Sequence, residues 1–363
     1  MKKLKVGFIG MGFLNHMGSS YAKLFGSNPK TEVSAICDLR KDVLEKNGQL
    51  LKLDDKMIFT NYEDLLNTDV DIVVIATPIP LHAEMAVKAL EAGKHVLSEV
   101  TMANTVEGCF RIIEAQKKSA KVYMMAENYR YFHFIKQWEN MVREGKLGKV
   151  YYAEGEYIHS IRHMVINPDT GEVYWRAQRA PLHYCSHNLG PLLSIMDDRI
   201  VKATASGKGV NIIKDVGIGS IDIQVALFET QKGATIKLLR SSVLTREPGL
   251  VYYGVYGTKG CLETTRGHED EIGLQYFEGE KGYEDGMQKA EWKYADPNVP
   301  EYVTRVHGTS EYYIVRDFIS AVENNIQPEI NAIRASEFTI PGLIAHEAAM
   351  KGNVWLDVPQ YSE

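Results

Sequence analysis

Apolar and polar positions along the first 128 residues fall into two alternating patterns. Short apolar runs read as buried strands: Lys5–Ile9, Glu32–Cys37, "DVDIVVIATP" (Asp69–Pro78), "KHVLSEV" (Lys94–Val100) and "KVYMMAENYR" (Lys121–Arg130). Amphipathic stretches lie among them: Leu14–Phe25, "AEMAVKALEAGK" with Gly93 as its stop, and Thr105–Ser119. Strands alternating with helices of about 10–15 residues predict βαβ units and a parallel, doubly wound sheet.

Past Gly148 the period changes. "KVYYAEGEYIHSIR" (Lys149–Arg162) alternates polar with apolar, as a half-solvated strand does. A helix is expected at His183–Met196. Strands are expected at Val201–Ser206, Gly219–Phe228, Ala234–Leu239, Leu250–Tyr256 and Cys261–Thr264. This predicts an α/β domain with an open, mostly antiparallel sheet. Helices at Ser310–Glu323 and Ile333–Met350 close the chain, and "EGEKGYEDGMQ" (Glu278–Gln288) reads as an exposed loop. The expected division is one α/β domain over residues 1–128 and a second over 129–363, with the closing helices free to pack back on the first.

The chain has 363 residues, 45% of them hydrophobic, and a formal net charge of −6. That balance argues against a nucleic-acid or anionic-membrane surface, which needs basic patches. No apolar run is long enough for a signal peptide or a membrane span, which points to the cytoplasm. Cys37, Cys109, Cys185 and Cys261 lie far apart, with no C-x-x-C pair, and read as core fillers.

The stretch "VGFIGMGFLNHMG" (Val6–Gly18) approaches the dinucleotide fingerprint G-x-G-x-x-G. Gly10 and Gly12 occupy the places that form the turn and admit the pyrophosphate, and Phe13 and Leu14 continue the loop. Asn15 stands where the third, packing glycine belongs. Either the helix sits further out, or Gly18 supplies the close packing one turn later. Asp38 ends the second strand, where a carboxylate accepts hydrogen bonds from an adenosine ribose, which favours NAD. Arg40 is placed to meet a 2′-phosphate and keeps NADP open.

The stretch Ala76–Val100 carries Thr77, Pro78 and His82 as T-P-x-x-x-H, then Gly93–Val96 as G-K-H-V; "TIPGLIAHEAAMKG" (Thr339–Gly352) follows near the end. On these motifs the whole chain resembles the glucose–fructose oxidoreductase, inositol dehydrogenase and rhizopine-catabolism (Gfo/Idh/MocA) family. The resemblance implies a Rossmann domain, a second α/β domain whose sheet often forms a subunit interface, and NAD(P)-dependent hydride transfer with a sugar or polyol. It implies that Thr77, Pro78, His82, Glu99, Glu127 and Asn128 border the cofactor. It also implies a homodimer or homotetramer.

The chain departs from that family where protons move. The usual Glu-Lys-Pro is Glu99-Val100-Thr101 here, and His183 takes the place of an Asp four residues before His187. "SEV", "ENYRYF", "GEYIHSIR" and "WRAQRAPLHYCSHNLGP" are similar to the NAD-dependent α-N-acetylgalactosaminidase branch, in which the Lys is likewise lost. That resemblance implies transient oxidation of a sugar hydroxyl, elimination of the glycosidic oxygen, water addition and return of the hydride. His187 and Tyr184 are its candidate bases and Tyr157 its candidate acid. Arg162, Trp175, His183 and Glu127 are its candidate sugar contacts. A simple sugar dehydrogenase and a non-catalytic nucleotide sensor are the competing readings.

Several of these residues also suit plainer roles. Glu99 suits a carboxylate bonded to backbone amides, His82 a helix-start residue, and Trp175 and Arg176 a lid or a subunit contact. His159, His163, His183 and His187 come without the carboxylate pair or H-E-x-x-H of a metal site, so no metal is expected.

Overall fold

The computed structural model describes residues 2–12, 17–266, 272–300, 303 and 307–362. The chain divides into two compact units. One comprises Met1–Glu127, Pro300–Thr304 and Glu311–Ser336; the other comprises Asn128–Val299, Arg305–Ser310 and Glu337–Glu363.

The first unit runs β1 (Leu4–Ile9), α1 (Met17–Ser27), β2 (Thr31–Cys37), α2 (Lys41–Leu51), β3 (Ile58–Phe59), α3 (Tyr62–Leu66), β4 (Ile72–Ile75), α4 (His82–Glu91), β5 (His95–Ser98), α5 (Val106–Ser119) and β6 (Tyr123–Met125). Among the described residues the strands form a six-stranded sheet in the order β3-β2-β1-β4-β5-β6. Every neighbouring pair is parallel. This is the doubly wound order whose ligands lie beyond the carboxyl ends of the strands. β4 is buried at all its positions, which explains why it reads as an unbroken apolar run. Thr105 caps α5 by accepting the Gly108 amide at 3.0 Å, and Lys117 and Lys118 sit in its last turn, where the helix dipole favours cations.

The second unit contains α6 (His133–Arg143), β7 (Val150–Ile158), α7 (Ser186–Met196), β8 (Ile200–Ser206), β9 (Gln224–Thr230), β10 (Thr235–Ser241), β11 (Leu250–Gly257), β12 (Gly260–Thr264), β13 (Ile272–Phe277) and β14 (Gln288–Glu291). After α8 (Ser310–Asn324) and α9 (Ala332–Met350), the short β15 (Leu356–Asp357) returns to pair with β8. The nine-stranded order is β14-β13-β12-β11-β7-β10-β9-β8-β15. Only the β7–β10 pair is parallel among the described residues, so the sheet is mixed but mostly antiparallel. α8 belongs chiefly to the first unit, where Phe318 meets Phe25 edge-on at 6.5 Å and Glu323 pairs with Lys30 at 2.6 Å.

Two sequence expectations change. The helix expected over His183–Met196 is broken: Pro181–Tyr184 is a separate 3₁₀ turn, and α7 starts at Ser186. The strand expected from Gly219 starts at Gln224, because Ile218–Ser220 is itself a 3₁₀ turn. Gly219 is there for close approach: a Cβ would stand 2.1 Å from the Arg176 carbonyl oxygen. The start expected for α1 at Leu14 lies outside the described residues, as do the loop positions Phe13, Leu14 and Asn15.

Gly18 is the packing glycine of the first unit. A Cβ on it would sit 2.0 Å from the Gly10 carbonyl oxygen, so α1 touches the β1 loop backbone to backbone. Gly18→Ala should therefore lower stability by about 1–3 kcal/mol, the usual cost of forcing atoms into a filled site. Urea unfolding measures the loss, and calorimetric NAD affinity should fall with it.

Candidate functional site

The nucleotide-binding features of the first unit gather at the ends of β1, β2 and β4. Gly10 (φ 88°) and Gly12 (φ 97°) adopt backbone that L side chains rarely take. A Cβ on Gly10 would stand 2.6 Å from the Ala76 carbonyl oxygen. The Asp38 carboxylate accepts the Met11 amide at 2.8 Å and the Arg40 amide at 3.0 Å, which ties it to the loop. Arg40 turns its guanidinium to Asp42 at 2.7 Å. A side-chain-free cradle next to a carboxylate fits a dinucleotide.

Below this loop His82 is fully buried. Its Nδ1 lies 2.8 Å from the Thr101 carbonyl oxygen and its Nε2 2.8 Å from that of Thr77. Burial lowers its pKa, while the two carbonyls favour the proton. His82 thus ties the end of β4 to the segment after β5. Pro78 opens the 3₁₀ turn Ile79–Leu81 ahead of α4.

Glu99 is buried close to Tyr21, Glu127 and Glu311. Its carboxylate accepts the Val100 amide at 3.3 Å. Burial pushes its pKa up to about 8, the charges of Glu311 and Glu127 add to the rise, and the Val100 amide and Tyr21 hydroxyl oppose it. Glu99 therefore carries its proton at neutral pH.

In the second unit, three tyrosine rings pack around His187. Tyr129 stacks on it at 4.1 Å and 8°, Tyr184 meets it edge-on at 4.8 Å, and Tyr157 lies at 5.5 Å. Tyr129 and Tyr157 also touch each other, at 5.7 Å. The Tyr157 hydroxyl is 3.0 Å from His159 Nδ1. The Tyr253 hydroxyl donates to the His187 carbonyl. α7 reaches this position because β7 presents Gly155: a Cβ there would lie 3.0 Å from Asn188 Nδ2.

Arginines line the same cluster. Arg240 stands opposite Tyr157 in the β7–β10 register, with its guanidinium 3.8 Å from the Tyr157 ring centre and 5.0 Å from that of Tyr184. Arg179 covers Tyr184 at 4.3 Å, and Arg176 covers Trp175 at 4.5 Å. Burial lowers all three, Arg179 to about 9.

The structure thus brings together His187, Tyr184, Tyr157 and, through the arginines, Trp175. It engages Arg162 elsewhere: Nε donates to Ser160 Oγ at 3.1 Å and Nη2 to the Leu244 carbonyl at 3.3 Å. His183 lies in the turn before α7, edge-on to His346 at 4.6 Å, and burial, His346 and Arg179 push it down to about 3. Glu127 is buried in the first unit near Glu99, and Asn128 is the buried first residue of the second. Among the described residues no group of three or more His, Cys, Asp or Glu is placed to hold a metal ion.

Arg179 and Arg240 escaped the sequence reading. Arg240 did leave a signal, since Ile236, Leu238 and Arg240 share the buried phase of β10, where a charge is out of place. Arg179 left none.

A nucleotide-binding sheet followed by a second α/β unit with an aromatic, histidine-bearing cluster defines a dinucleotide-dependent enzyme. Residues 4–127 match the oxidoreductase family with an NAD-binding Rossmann fold, and residues 139–337 match that family's C-terminal alpha/beta domain. The chain belongs to the Gfo/Idh/MocA oxidoreductase family, and its cofactor is NAD.

It is similar to a glycosyl hydrolase family 109 protein of Shewanella pealeana, 27% identical over 100% of this chain and 86% of that one. It is also similar to an alpha-N-acetylgalactosaminidase of Shewanella oneidensis, 32% identical over 72% of this chain and 63% of that one. Its fold is that of levoglucosan dehydrogenase solved with NADH and L-sorbose (TM-score 0.85, 19% identity, 99% of this chain and 100% of that one). An inositol dehydrogenase homologue from Azotobacter vinelandii shares it too (TM-score 0.79, 18% identity, 98% of each chain).

The Glu99 environment carries a pH signature. A carboxyl whose folded pKa is raised binds more protons folded than unfolded. Stability therefore falls as pH climbs from the ordinary value of 4.5 through about 8, and levels above it. The slope is at most about 1.4 kcal/mol per pH unit for one group. Glu99→Gln should flatten this fall and leave the variant more stable than wild type at alkaline pH, as read from melting temperature against pH.

Proposed function

We propose that the protein cleaves a glycoside by transient oxidation of the sugar, without net redox change. The observation that carries this reading is the packing of Tyr184, Tyr157 and Tyr129 around His187 in a chain where Val100 replaces the family's proton-accepting Lys. Valine moves no proton, so a plain dehydrogenase would lack its base. The names of the Shewanella relatives support the same choice.

Bound NAD supplies an acceptor that takes a hydride from a sugar carbon and later returns it. The protein's own residues handle the protons. His187 or Tyr184 receives the hydroxyl proton as the C–H hydride departs. The resulting ketone acidifies the neighbouring C–H, and the second member of this pair removes that proton. Tyr157, hydrogen-bonded to His159, protonates the leaving glycosidic oxygen. Water then adds to the unsaturated sugar, and the proton path reverses.

Turnover of an aryl glycoside should release phenol while no NADH accumulates. Solvent deuterium should enter the sugar at the carbon beside the oxidised one. His187→Ala should slow turnover about a hundredfold, the usual contribution of a general base, with little change in NAD affinity. Stoichiometric NADH from a free sugar, with neither deuterium incorporation nor aglycone release, would return the protein to the simple dehydrogenases.

We also propose a cytoplasmic homo-oligomer joined through the open face of the second-unit sheet. On that face Val225 and Leu227 are exposed beside Leu239. Arg266 lies 3.9 Å over the Tyr252 ring there and pairs with Glu156 at 2.8 Å. Light scattering should give a multiple of the chain mass for the wild type and the single chain for Leu227→Asp.

A further inference from the structure

Among the described residues the arginine cluster of the second unit lacks a counter-charge. Arg240 is 1% exposed, and Arg176 and Arg179 are each 8% exposed. Among the described residues none of the three forms an ion pair; the only side-chain hydrogen bond of the group runs from Arg179 to Ser242 Oγ at 3.3 Å. Arg240 Nε and Nη1 and Arg179 Nε have no partner there at all. Arg179 and Arg240 also feel each other's charge, and no carboxylate stands among the main influences on either.

A buried guanidinium is ordinarily matched by a carboxylate or a phosphate, because desolvating a cation costs more than ring contacts return. The other face of the same sheet obeys this rule: Glu154 and Glu156 are met by Arg266 and Lys237. The contrast lies within one sheet. The face whose arginines go unmatched is the one that carries His187, Tyr184 and Tyr157.

We propose that the sugar handled here bears an anionic group, a carboxylate, sulfate or phosphate ester, bound by Arg179 and Arg240 beside Tyr184. This rests on the reading of the His187 cluster as a sugar site, and it names the substrate class. Both guanidiniums lie within 5.0 Å of the Tyr184 ring, and their free N–H groups are the planar forked donors that recognise an oxyanion. Arg176, stacked on Trp175, adds a third positive charge.

The test uses the NAD-loaded protein and calorimetry. Free hexoses are titrated in parallel with their uronates, 6-sulfates and 6-phosphates, and with inorganic sulfate and phosphate alone. One charged member should bind at least tenfold more tightly than its neutral parent, and which member wins distinguishes carboxylate from sulfate from phosphate ester. The charged-to-neutral ratio should fall toward one in Arg240→Gln and in Arg179→Gln, and recover partly in Arg240→Lys. The wild-type ratio decides the matter even if a variant fails to fold. Equal binding of charged and neutral sugars overturns the anion assignment and leaves the sugar reading intact. Binding of the inorganic anions with no sugar of either kind overturns the sugar reading and this substrate class with it. A tyrosinate absorption band at neutral pH that disappears in Tyr184→Phe, without anion preference, shows that the counter-charge is internal and also overturns the proposal.

Discussion

The contact between Asn188 of α7 and the bare backbone of Gly155 in β7 governs the second unit. It sets how close the helix approaches the sheet, and His187 is the residue next to it. Once the helix is down, the His187 ring has little freedom. Tyr129 covers one face, Tyr184 meets it edge-on, and the Tyr253 hydroxyl holds its carbonyl. In the role of base proposed for His187, a direction fixed by packing spares reorganisation when a proton moves, which is the main advantage a protein has over water as a medium for such steps.

The nine-stranded sheet also sorts charge. Side chains alternate across a strand, so neighbours in sequence go to opposite faces. On β7, Glu154 and Glu156 point one way, to Arg266 and Lys237, while Tyr157 points the other. On β10, Lys237 and Arg240 separate in the same manner. One sheet therefore offers a neutralised face and a positive one. In the first unit the bias reverses, with Glu99, Glu127 and Glu311 gathered in the interior and Glu99 held protonated.

Much of the fold was legible because burial on both faces leaves an apolar run, as in β4, and burial on one leaves alternation, as in β9. β14, "QKAE", was not legible: it is an edge strand with no deeply buried position, so nothing in its composition marks it. The break before α7 was hidden because buried residues stand on both sides of it, Leu182 before and Ser186 and His187 after, although Pro181 marks the turn. His187, Tyr184 and Tyr157 were singled out through the resemblance to the α-N-acetylgalactosaminidase branch, and the structure packs their rings together. The distinct setting of His183 was not legible, because it is decided by His346, more than 150 residues away in sequence. Arg179 was equally hidden, since a guanidinium becomes unusual only when the structure shows no acid beside it.

Gly18 shows what the dinucleotide motif encodes. Counted by position, the loop of this chain is defective, for Asn15 stands where a glycine is required. Counted by contact it is intact, because the residue that meets the Gly10 carbonyl without a Cβ is a glycine, placed three residues later. The inherited quantity is thus a clearance between two backbones, and the letter pattern is one of several ways to spell it. A pattern search keyed to fixed spacing would discard this chain, whereas one keyed to that clearance would keep it. Lineages in which the glycine slides along the helix would then count as the same motif rather than as its loss.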